Sequence, residues 1–152
     1  IQDSFGSLVK LGMYLLTFIA FAYTRAAPFE RSVSEGGYYL LGLCTVLGSM
    51  VIISAHSLLM IYLGLELLAL SLYAMVALRR DEIHAIEAAL KYFVMGSVAS
   101  AIFLYGLSFL YGATGSLLIN EIAQQITTSH SYSLLLNLGL VLVVTGIAFK
   151  LA

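Results

Sequence analysis

The sequence predicts an all-α integral membrane protein, and three observations carry that prediction. Hydrophobic residues fill 61% of the 152 positions and charged residues only 10%, against about 25% charged in an average soluble domain. The mean hydropathy is +1.01. The apolar residues also gather into runs long enough to cross a bilayer, which takes ~20 helical residues for ~30 Å of hydrocarbon.

Five spans follow in order. The first runs from about Phe5 to Thr24, behind an Asp3/Ser4 helix cap. Arg25 to Gly37 then holds the only proline, four charges and a glycine pair, and reads as an exposed loop. Tyr38 to Leu78 is one apolar block of 41 residues, too long for a single crossing. Its polar break is Ser54-Ala55-His56-Ser57, which divides it into spans over 38–54 and 57–78. Arg79-Arg80-Asp81-Glu82 makes a tight turn, with acids where a helix N-terminus favours them, into a fourth span over 83–111. Ala113 to Ser133 is polar and Ser/Thr-rich, with a short interfacial helix expected around Leu117 to Ile126; the fifth span covers 134–152. Ile1 opens without a signal-peptide pattern, and the chain is still apolar at Ala152. The whole therefore reads as a single transmembrane segment of a longer protein.

Arginines orient the spans. Arg25, Arg31, Arg79 and Arg80 fall in the first and third connections, and the opposite connections carry no Lys or Arg, which places the first pair on the cytoplasmic or matrix side. The net charge of -1 and the lack of a basic tract give no sign of a nucleic-acid partner. Cys44 is the only cysteine, so it forms no internal disulfide, and no Cys/His spacing suggests a metal. His56 reads as a solvated or capping residue and His130 as an inert loop residue. Lys10 lies near enough an end of its span for its stem to snorkel.

Glu66 and Lys91 each interrupt a long apolar run, where a charge costs about 2.5–3.5 kcal/mol on insertion scales. Counting residues puts Lys91 ~14 Å and Glu66 ~18 Å from the same side, so the two are expected to face each other. Desolvation favours the neutral form of each group and its partner favours the charged form, a balance on which proton relays depend. A static pair that pins two helices is the structural alternative. His84, Glu87 and Lys91, three and four residues apart, form one stripe on the fourth helix, an expected input route for protons. Lys150, sixteen residues beyond Leu134, is a further candidate, although spacing alone favours a lysine that snorkels to the surface.

The runs YLGLELLALSLYAMVAL (from Tyr62), EAALKYFVMGSVAS (from Glu87), YGLSFLYGATGSL (from Tyr105) and GIAFKLA (from Gly146) closely resemble the subunit N family of respiratory complex I, the proton-translocating NADH:quinone oxidoreductase. The likeness covers Tyr38 to Ala152. It includes the GLEL glutamate, the ALKY lysine 25 residues later and the FK lysine 59 residues beyond that. The resemblance implies an antiporter-like subunit of about fourteen helices built from two inverted repeats, of which this chain supplies most of the first. It makes Glu66 the partner of Lys91, Lys91 the switchable lysine of an input half-channel and Lys150 a relay lysine on a broken helix. Glu87 matches a position that is commonly acidic. The resemblance also implies no cofactor in this chain, with NADH, FMN, iron–sulfur clusters and quinone bound by other subunits. Its partners would be the other membrane-arm subunits, the lipid bilayer, protons and internal water, in a bacterial inner membrane. A cation/proton antiporter or membrane-bound hydrogenase subunit is the nearest alternative, and a purely structural assembly subunit the more distant one.

Overall fold

The computed structural model describes residues 4–26, 35–128 and 134–151. Its elements are helices α1 (Ser4–Ala26), α2 (Glu35–Ile53), α3 (Leu58–Val76), α4 (Ile83–Thr114), α5 (Ile119–Thr128) and α6 (Leu134–Leu151). All but α5 are long and apolar enough to cross a membrane, so the protein is a multi-pass, all-α membrane protein. The helix break falls at Ser54–Ser57, where the polar residues stand. Helix α4 runs to Thr114, three residues past the expected end, because Gly115 is what stops it. With φ at 68°, Gly115 takes the left-handed position after the last turn, and its N–H donates to the Tyr111 carbonyl at 2.7 Å. The Asp3 cap, Pro28 and Arg31 of the first loop, His130 and Ala152 lie outside the described residues.

Contacts divide the chain into two compact units, Ile1–Ser54 with Gly64–Phe93, and Ala55–Leu63 with Val94–Ala152. In the first, α2 and α3 meet through glycine. A Cβ on Gly48 would lie 2.8 Å from the Gly64 carbonyl oxygen, and one on Gly64 would lie 2.6 Å from Ile52 Cγ1 and 2.9 Å from the Gly48 carbonyl oxygen. No side chain fits between these backbones, the arrangement by which helices associate where lipid is as apolar as the protein. Ser49 and Ser71 are buried nearby and donate to the carbonyls of Thr45 (2.9 Å) and Leu67 (2.7 Å), four residues earlier on their own helices. Helix α1 rests on α2 through Phe21, which covers Gly42 and meets Tyr39 edge to face at 5.1 Å between centroids. None of its residues 4–25 is buried.

The second unit has its own core. Phe103 and Leu110 of α4 are fully buried and pack with Leu107 and Val143, while Tyr62 stacks on Phe103 at 5.8 Å. Gly106, Gly139 and Gly146 bring α4 and α6 together: a Cβ on Gly106 would lie 2.7 Å from Val143 N, and one on Gly146 2.8 Å from Phe103 Cβ. Ser57 caps α3 by accepting from the Met60 N–H at 3.2 Å. Two main-chain hydrogen bonds tie the break to the segment before α5, from Leu58 N–H to Leu117 C=O (3.0 Å) and from Ile119 N–H to His56 C=O (3.2 Å).

Overfilling a packed interior costs about 1–3 kcal/mol, so Gly64→Val should destabilise the full-length protein by that order in a denaturant titration in bicelles. Gly12→Val is the control, because nothing lies within 4 Å of a Cβ there; equal losses for the two would contradict the packing described.

Candidate functional site

The site is built on the first three turns of α4. His84, Glu87 and Lys91 lie on one face, and all three are exposed in the isolated chain. Lys91 Nζ donates to Glu87 Oε1 at 2.6 Å, with the two side chains 74% and 54% exposed. The acid stands four residues N-terminal to the base, the favourable order for a helical pair. One turn further out, Arg79 Nη1 meets Glu82 Oε2 at 3.4 Å, and Arg80, Asp81 and Glu82 are exposed. This end of the helix is thus a continuous charged surface.

Lys91 makes an ion pair with Glu87 of its own helix; the sequence reading pairs it with Glu66 of α3. Tyr73 of α3 meets Tyr92 of α4 edge to face at 4.6 Å and Phe93 at 5.8 Å, a contact that joins the two helices. Glu66 precedes Tyr73 by seven residues, or ~10 Å of helix rise, and Lys91 adjoins Tyr92. Side chains lean toward the start of their own helix, which carries Lys91 toward Glu87. Tyr73, buried on α3, is the residue that reading missed.

Residues 92–113 carry no charge and alone make ~33 Å of helix, and Lys91 directly precedes them in α4. Glu66 holds the central position. It is half-buried at the middle of α3, eight residues from Leu58 and ten from Val76. Lys150 is half-buried in the last turn of α6. Cys44 is a free, half-buried thiol on α2. Among the described residues, no group of three His, Cys, Asp or Glu side chains is placed to hold a metal ion.

Residues 55–152 match the family described as NADH:quinone oxidoreductase/Mrp antiporter, TM. The chain belongs to this family. Its relatives sharpen the resemblance to subunit N. Over 150 residues it is 49% identical to the NADH-quinone oxidoreductase subunit N of Alkalilimnicola ehrlichii, covering 99% of the chain and 31% of that protein. Over 149 residues it is 52% identical to the subunit N of Halorhodospira halophila, covering 98% of the chain and 31% of that protein. Among solved structures, respiratory complex I from Thermus thermophilus with bound aureothin matches with a TM-score of 0.63 and 30% identity, over 94% of this chain and 38% of that one. The chain thus spans about a third of the length of the curated relatives it matches. The ion pair on α4 makes the charged stripe the candidate site of this chain.

The partner of Lys91 can be tested by charge exchange. Glu87→Lys places two ammonium groups one turn apart and should lower the yield of assembled protein severalfold, and Glu87→Lys with Lys91→Glu should restore it. Recovery only with the exchange of Glu66 and Lys91 would assign the partnership to Glu66.

Proposed function

We propose that the chain works in proton translocation, as part of a membrane-arm subunit of a bacterial NADH:quinone oxidoreductase. The observation that carries this reading is the Glu87–Lys91 ion pair, 2.6 Å long and set in the first three turns of a spanning helix in a member of this family. An ammonium held by a carboxylate can give up its proton when that carboxylate is drawn elsewhere, and take one when it returns.

The path begins on the cytoplasmic side, given by the arginines at 25, 79 and 80. His84 and Glu87 collect the proton and Lys91 receives it. Glu66, at the centre of α3, is the carboxylate that acts deeper in the membrane, and Lys150 on α6 is the next acceptor, with water carrying protons between groups. The redox cofactors (NADH, FMN, iron–sulfur clusters and quinone) belong to other subunits, and the neighbouring membrane-arm subunits are the partners. The family also includes Mrp antiporters, but the named relatives are complex I subunits, which favours the oxidoreductase reading.

The test is made in the intact complex, in inverted membrane vesicles. Lys91→Met and Glu66→Gln should each lower the pH gradient formed per NADH oxidised severalfold while the complex still assembles. Glu87→Gln should lower it less, because the amide still accepts a hydrogen bond from Lys91. Wild-type ratios for both Lys91→Met and Glu66→Gln would leave the structural role alone standing.

A further inference from the structure

A second site lies at the other arginine-bearing helix end of the first unit. Helix α1 ends with Arg25 in its last turn, and α2 begins with Glu35 in its first. Between them opens a cleft of about 620 Å³, lined by Phe18, Phe21, Ala22, Arg25, Glu35 and Tyr39. That volume falls within the ~300–1,000 Å³ usual for small-molecule sites. Its walls are aromatic, and among the described residues that line it the charged groups are one guanidinium and one carboxylate. The aromatic wall is fixed in place: Phe21 is seated over Gly42, where a Cβ would come within 2.6 Å of its ring, and meets Tyr38 and Tyr39 edge to face at 6.2 and 5.1 Å. Thr24 Oγ1 and Tyr38 Oη approach to 3.3 Å across the same pair of helices.

We propose that this cleft binds one phospholipid whose headgroup carries a phosphate and a primary ammonium. Arg25 takes the phosphate, Glu35 takes the ammonium, and an acyl chain lies along Phe18 and Phe21. Two features point to that occupant. The cleft sits at the ends of two spanning helices, with Tyr39 in its lining and Tyr38 against Phe21, and such helix ends are the level at which aromatic residues meet lipid headgroups. The opposite charges of Arg25 and Glu35 match a zwitterion, whereas a purely anionic headgroup would face Glu35. The site uses none of Glu66, His84, Glu87, Lys91 or Lys150, so it stands apart from the proton path.

The test uses the intact complex in phosphatidylcholine nanodiscs containing a trace of phosphatidylethanolamine with a photoreactive acyl chain, with cross-links mapped by mass spectrometry. Labelling should concentrate on Phe18 to Arg25 and Glu35 to Tyr39. Unlabelled phosphatidylethanolamine should displace it about fivefold more readily than phosphatidylglycerol or phosphatidylcholine does, the scale of one exposed charge pair. Glu35→Gln should shift the preference toward phosphatidylglycerol, a gain that a misfolded variant would not show. Labelling that ignores the headgroup, or a wild-type preference for phosphatidylglycerol or phosphatidylcholine, would overturn the proposal. So would a headgroup preference unchanged by Glu35→Gln.

Discussion

Backbone-to-backbone contact at glycine is the constraint on which the rest of this structure depends. Inside a bilayer, apolar side chains gain little by leaving lipid for protein, so burial cannot choose which helices meet or at what height. Shape must do so. In the first unit Gly48 and Gly64 let α2 and α3 touch, and in the second Gly106, Gly139 and Gly146 do the same for α4 and α6. Each contact removes a side chain from the interface and fixes two backbones in register. The buried serines complete the pattern, because each donates its hydroxyl to a carbonyl four residues earlier on its own helix.

The charged groups answer to a different requirement. Lys91 and Glu87 are more than half exposed in the isolated chain, yet they lie on a helix that spans the membrane. Pairing within one helix meets the problem locally: the two charges offset each other one turn apart, beside the uncharged run of residues 92–113. Glu66 differs from them in being half-buried at the middle of an apolar helix, α3.

Hydropathy made the spans legible, since runs such as 58–76 and 134–151 have no alternative to helix in a bilayer. The break at residues 54–57 was legible for the same reason, as the place where polar residues cluster in a long apolar block. The stripe of His84, Glu87 and Lys91 followed from helical spacing. The ion pair within that stripe, Lys91 with Glu87, follows from the same spacing, whereas the ring contact of Tyr73 with Tyr92 joins two helices and has no local signal in the sequence. Polarity changes after Gly112, but α4 continues to Thr114 because Gly115 carries the stop signal.

The tie between the break and the segment before α5 has a consequence for how this region can evolve. Its two hydrogen bonds run from Leu58 to Leu117 and from Ile119 to His56, and every atom involved belongs to the main chain. Any residue but proline supplies the same donor, and every residue supplies the same acceptor. Substitutions at His56, Leu117 and Ile119 can therefore accumulate by drift without loosening the join. Selection acting on these positions would report what their side chains do for the protein, free of any duty to hold the two segments together.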